Sequence, residues 1–224
     1  MERQPARLKR ELKRVLSSTF LLSALAAAPL VPSPAAAQER YVVKPVVEMK
    51  LKELPRGALY WRVENFPTLA EAKAAAGSFR WNPDTVSHDG SPSLAAEVAG
   101  KAWLFTLGAK GDATPGGSKV AEIGPVPPIT APEYLLRVNH GSGPPGSRTP
   151  RHSHPGSEAF YVVAGRLGQQ TPDGVHYAET GETINGHGPG VPMEVFNDGT
   201  TDLTALIMFV VDATQPFSVP VKLP

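Results

Sequence analysis

From Tyr134 on, strand-like segments of four to nine residues alternate with turn-forming residues at short intervals. This punctuation narrows the fold more than any other feature. The segments are Tyr134–Asn139, Glu158–Ala164, Arg166–Thr171, Val175–Ala178, Met193–Asn197 and Leu203–Val211. Pieces this short, with breakers between them, read as strands of a β-sandwich or barrel. Pro and Gly together supply 45 of 224 residues, about a fifth against the roughly 12% of average usage, as a chain of many turns requires. Leu203–Val211 is apolar on both alternating faces apart from Thr204, the pattern of a strand covered on both sides. It is also too short to cross a bilayer as a helix.

The preceding stretch, from Gln38 to about Leu107, reads as short strands around one helix, with strand-like pieces at Ala58–Val63 and Ala102–Leu107. Thr68 followed by Glu71 is a capping box, and the alanine-rich run after it ends at Gly77, a C-cap residue. This helix is expected on the outside of a sheet. The polar and turn residues between Ser78 and Pro92 predict a loop, and Asp112–Gly117 is a second breaker-rich stretch. No second histidine pair occurs here, so the segment reads as a strand-donating extension rather than a second copy of the C-terminal part.

The first 37 residues differ from the rest. Arg3, Arg7, Lys9, Arg10, Lys13 and Arg14 precede an apolar run from Phe20 to Val31, and Pro32-Ser33-Pro34-Ala35-Ala36-Ala37 comes after it. Basic, apolar and small-residue regions in that order predict a secretory signal cut after Ala37 and a secreted or periplasmic bacterial protein. The apolar run is shorter than the ~20 residues of a span, so no stable membrane span is expected after cleavage. Residues 1–37 are thus expected as signal, 38–117 as the extension and 118–224 as the main domain. Beyond Ala37 the chain has 16 basic and 19 acidic residues, a net charge of −3. The basic pI of the whole chain therefore resides in the signal, and nucleic acid is not an expected partner. Absence of cysteine excludes disulfides, thiolate metal sites and cysteine nucleophiles.

The chemistry is concentrated in Gly146–Gly165, which contains His152-Ser153-His154-Pro155-Gly156-Ser157-Glu158. In an extended segment, residues two apart point the same way, so His152 and His154 can face one cavity. Pro155-Gly156 turns the chain and Glu158 re-enters on the next strand. Two imidazoles and a carboxylate suit a divalent first-row metal. No phosphate loop, serine elbow or dinucleotide fingerprint occurs in its required context. The Gly141–Gly146 stretch lacks the amides of a phosphate cradle at Pro144 and Pro145.

The spacing Gly146-x5-His152-x-His154-x3-Glu158-x6-Gly165 resembles the first characteristic motif of the cupin superfamily, and Tyr134–Phe217 resembles uncharacterised bacterial cupin-2 proteins of the quercetin-dioxygenase-like sort. The resemblance implies an all-β fold, a cupin jelly-roll β-barrel behind the helix-containing extension. It also implies that His152, His154 and Glu158 ligate a divalent metal ion: Fe, Mn, Ni, Zn or Cu. Gly165 would serve the turn into the next strand.

The second cupin motif places a histidine four residues before an asparagine; here Met193 stands four before Asn197. Three readings stay open. Met193 lines the cavity of a three-ligand site with open positions, like the two-histidine, one-carboxylate oxygenases; or His187, on the loop Gly186-His187-Gly188, swings in as the missing ligand; or Met193 is an adaptable core residue in a barrel that has lost strong metal binding. Phe160, Tyr161, Phe196, Met208 and Phe209 are candidates for cavity lining or for plain core. His88, His140 and His176 read as surface or hydrogen-bonded residues. The functions implied are a metal-dependent dioxygenase, a non-catalytic small-molecule-binding module, or a metal-dependent isomerase or lyase. A small-molecule ligand or substrate and a second copy of the chain are the expected partners.

Overall fold

Alternation of inward and outward residues sets which surfaces must be covered, and the chain covers them with short strands. The computed structural model describes residues 40–77, 80–82 and 87–221, of which 80–82 and 87–89 by backbone alone; the expected signal segment lies outside them, as does the side chain of His88. In order the elements are β1 (Val42–Leu51), β2 (Tyr60–Phe66), α1 (Leu69–Ala76), β3 (Arg80–Asn82), β4 (Ser87–Asp89), β5 (Ser93–Val98), β6 (Lys101–Gly108) and β7 (Ser118–Ile123). After these come β8 (Tyr134–Gly143), β9 (His152–Ser153), β10 (Gly156–Ala164), β11 (Arg166–Thr171), β12 (Gly174–Glu179), β13 (Thr183–Asn185), β14 (Glu194–Asn197), β15 (Leu203–Asp212) and β16 (Val219–Pro220).

A five-stranded antiparallel sheet, β1-β8-β15-β10-β13, is the spine of the fold. One of its faces packs on the three-stranded sheet β12-β11-β14, enclosing Phe160, Val162, Leu167, Val195, Ile207 and Phe209. Its other face packs on the four-stranded sheet β5-β6-β2-β7, enclosing Trp61, Phe105, Leu136, Val138, Leu206 and Met208. The consequence is visible on β15, where Leu203, Ala205, Ile207, Phe209 and Val211 enter one core and Leu206, Met208 and Val210 the other. That is the two-sided strand expected from its composition.

The first two sheets form a jelly roll, but it is open where a barrel was expected. Among the described residues β13 has three residues and makes no ladder with β12, so the edge there stays unjoined. Sheet membership also crosses the expected boundary at residue 118: β1 belongs to the five-stranded sheet and β7 to the four-stranded one. The physical reason is edge pairing. Without β1 the backbone of β8 would be bare on one side, and β7 does the same for β2. The described residues accordingly belong to one compact unit.

Local signals in the extension act as their chemistry predicts. Thr68 is extended and its hydroxyl oxygen accepts from Glu71 N at 3.2 Å, which starts α1. The helix rests on the four-stranded sheet through Ala72, against Phe66, Ala102 and Leu104. The breaker-rich stretch 112–117 is anchored by the buried Glu64 carboxylate, which accepts from Thr114 N at 2.6 Å, Thr114 Oγ1 at 2.8 Å and Arg62 Nε at 3.2 Å. Between β10 and β11, Gly165 has φ +83, and a Cβ there would lie 2.7 Å from the Asp202 carbonyl oxygen. Only glycine suits that turn.

Met208 is fully buried between the five- and four-stranded sheets. Met208→Ala is expected to cost about 2–5 kcal/mol in urea unfolding, whereas Val175→Ala, at an exposed position on β12, is expected to change stability by no more than about 0.5 kcal/mol.

Candidate functional site

His152 and His154 flank the corner that leads into β10. The backbone of His152 exchanges hydrogen bonds with Met193, His152 N to Met193 O at 2.9 Å and Met193 N to His152 O at 2.7 Å, which fixes the segment against the strand carrying Val195. The two imidazoles meet edge-on with centroids 4.9 Å apart. Glu158 points inward from β10 beside Phe160 and lines the same cavity. Its Oε2 lies 3.9 Å from His154 Nε2.

Each imidazole is tethered at its other nitrogen. His152 Nδ1 is 2.7 Å from the Pro150 carbonyl oxygen, and His154 Nδ1 is 2.6 Å from that of Phe217. A ring nitrogen bonded to a carbonyl must donate, so in the neutral rings Nδ1 holds the proton and Nε2 keeps its lone pair. Burial pushes His154 down to about 4, against the raising effect of the Phe217 carbonyl. It is therefore neutral at physiological pH.

Glu158 is held differently. Its Oε1 accepts from Gln169 Nε2 at 2.6 Å, and the same amide nitrogen lies 3.8 Å from Met193 Sδ. Burial pushes the Glu158 carboxyl up to about 8, with the Gln169 hydrogen bond pulling the other way. A carboxylate this deep lacks a full cationic partner, and that deficit is what a bound cation would fill.

The cavity above these residues has a volume of about 470 Å³. Its apolar wall includes Phe160, Val195, Ile207, Phe209 and Phe217, and its polar wall includes Tyr41, Arg137, Asn139 and Arg151. Of the five residues that were candidates for lining or core, Phe160 and Phe209 line this cavity. Tyr161 and Met208 face the four-stranded sheet instead, because alternation puts them on the opposite side of β10 and β15. Phe196 lies outside the three-stranded sheet, against Tyr177 and under Arg148. Met193 is buried, 2% exposed, with its thioether on Gln169 and not on the cavity wall. His187 does not join the other histidines of the site; its ring is 5.8 Å from that of His176, with Nδ1 3.8 Å from Asp173 Oδ2.

Gln169, Tyr41, Asn139 and the Phe217 carbonyl are the site groups that sequence reading missed. Gln169 left a faint signal, as a polar residue sharing the inward face of β11 with Leu167 and Thr171. The others left none, because their place depends on which strands pair.

The donor set fits a divalent metal by its chemistry: two imidazoles with lone pairs free at Nε2 and an under-partnered buried carboxyl. As the side chains stand, no group of three His, Asp or Glu among the described residues is drawn together tightly enough to enclose an ion. Glu158 is turned onto Gln169 instead.

Residues 142–210 match the family model described as a cupin domain. The matched residues contain the motif at His152–Glu158 and the strands β9 to β14 with most of β15, so this part of the chain carries a cupin domain, and the strands β1 to β7 precede it. No curated protein matches the chain. Solved structures similar to it include a DMSP lyase from Ruegeria pomeroyi (21% identity, 38% of this chain and 43% of that one, TM-score 0.34). The polyketide cyclase RemF from Streptomyces resistomycificus is 22% identical over 40% of this chain and 62% of that one, TM-score 0.34. An RmlC-like cupin with a double-stranded β-helix fold from Methanocaldococcus jannaschii is 18% identical over 34% and 70%, TM-score 0.32. This chain therefore spans less than half of the lyase it matches.

The Glu158 carboxyl gives the metal-free protein a defined pH response. Its folded pKa of about 8 lies above the ordinary 4.5, so the folded state holds the extra proton and loses stability as pH rises through this range. His154, depressed to about 4 from 6.5, adds stability as pH rises to 6.5 and nothing further above it. Of these two effects, that of Glu158 remains between pH 6.5 and 8. Chelator-treated protein should show a falling thermal midpoint across that window, and Glu158→Gln should flatten the slope.

Proposed function

We propose that this chain is an exported metalloprotein in which His152, His154 and Glu158 hold one divalent first-row ion, and that it acts as a dioxygenase on a small organic molecule. The observation that carries the reading is the double tether at Nδ1: the carbonyls of Pro150 and Phe217 occupy that nitrogen on both rings and leave both Nε2 lone pairs free, on two residues that line a largely apolar cavity with a buried carboxyl. A carbonyl placed behind the ring in this way fixes the tautomer and orientation that a metal ligand needs. When bound, the ion supplies Lewis acidity and, where redox-active, oxygen chemistry.

The chain's own residues have separable tasks. Gln169 anchors Glu158 by Oε1 and leaves Oε2 on the side of His154 Nε2, and the thioether of Met193, engaged by the same amide, stays out of the donor set. That arrangement supports a three-ligand shell with positions left for ligand and oxygen. Phe209, Ile207 and Phe217 keep water from the floor and offer an apolar surface to a substrate body. Export by the N-terminal segment is part of the same proposal, with N-terminal sequencing of the recovered protein expected to begin at Gln38.

Elemental analysis of protein purified without chelator should find bound metal in the wild type and none in a His152→Ala, His154→Ala double variant. Equal metal in both would remove the basis of the reading. Oxygen consumption by the metal-loaded protein with candidate substrates separates a dioxygenase from a metal-dependent isomerase or lyase, and from a module that binds without turnover.

A further inference from the structure

Two residues that line the cavity each bury a polar atom without a partner. Tyr41 Oη and Asn139 Oδ1 are buried, their residues 6% and 2% exposed, and neither has a hydrogen-bond partner. Buried polar atoms are nearly always satisfied, because leaving one unpaired costs its full desolvation. Of the unpartnered buried side-chain atoms among the described residues, these two belong to residues that line the cavity with His152, His154 and Glu158.

The backbone is shaped to put Tyr41 there. Tyr41 precedes β1, whose pairing sets Val43 opposite Gly141 on β8. A Cβ on Gly141 would collide with the Tyr41 hydroxyl and lie 2.9 Å from Cζ, so the missing side chain is the notch that admits the ring. Gly141 lies two residues from Asn139 on the same face of β8, and Arg137 two further. Burial, then the Glu158 charge, pushes the phenol above its ordinary value, so it remains an O–H donor.

We infer that Tyr41 and Asn139 form the recognition pair for a hydroxyl group on the cavity's ligand, the phenol donating to that oxygen and the amide oxygen accepting its proton. The ligand class this pair selects is a small compound with a hydroxyl on an apolar body: the hydroxyl lies at the pair and the body against Ile207, Phe209 and Phe217. A ligand that only accepts would leave Asn139 unsatisfied. Both residues lie outside the matched residues 142–210, Tyr41 just before β1 and Asn139 on β8. The inference rests on the reading of the cavity as a small-molecule site.

The test uses 2-naphthol and 2-methoxynaphthalene, which share a ring body and differ in the hydroxyl proton, titrated against the metal-loaded full protein by fluorescence. Wild type should prefer 2-naphthol by about fivefold or more, the scale of one hydrogen bond. Tyr41→Phe and Asn139→Leu should each erase the preference. Because both atoms are unpartnered in the free protein, Tyr41→Phe should leave its thermal midpoint unchanged or raised. Equal binding of both probes by wild type and variants would overturn the pair and leave the cavity reading standing. No binding of either probe to wild type would overturn both. A lowered midpoint in Tyr41→Phe would also overturn the pair, since it would show that the hydroxyl serves the fold.

Discussion

Everything in this molecule depends on a sheet that must be buried on both faces. β8, β15 and β10 carry apolar residues inward and outward, and a jelly roll covers only one side. Two-sided burial of strands this apolar is the dominant favourable term available to the chain. The four-stranded sheet of the extension supplies the second cover, with Trp61, Phe105 and Leu107 against Leu206, Met208 and Val210. The extension is thus a structural half of the core rather than an appendage. Its first strand, β1, completes the edge of β8 as well.

That rigid double-covered sheet makes the polar interior tolerable. Glu158, Asn139 and Gln169 sit on inward faces of strands whose backbones are fixed by ladders on both sides. Each would relax toward solvent in a looser frame. The cavity forms where the inward residues of β8 become polar or small, at Arg137, Asn139 and Gly141, opposite the apolar run of β15. Arg137 stacks on Phe217 and pairs with Glu48 of β1, which ties the C-terminal segment, the extension and the cavity mouth together. Phe217 in turn presents the carbonyl that orients His154. A buried carboxyl and two aligned imidazoles therefore depend on contacts spread from Glu48 to Phe217.

The helix, the His152-x-His154-x3-Glu158 cluster and the strands β2, β6, β8, β10, β11, β12, β14 and β15 are legible in the chain alone, whereas β1, β5 and β7 are not, and β3 and β4 lie where a loop is expected. These are local facts: short apolar periods, a Thr68–Glu71 cap, a Gly165 turn and the same-side geometry of residues two apart. Arg166–Thr171 has the same bounds in pattern and in structure, and Leu203–Val211 differs by one residue. The partition of sheets, the choice of side chains that face the cavity, and the contacts that hold the trio emerge only on folding. Alternation separates the two faces of β10 and β15 but does not say which face looks at the site, so Phe160 and Phe209 could not be told from Tyr161 and Met208. Gln169 beneath Glu158, Tyr41 across Gly141 and the Phe217 carbonyl on His154 join residues 11 to 100 positions apart. Contacts of that range are set by strand pairing and burial, which no local pattern encodes.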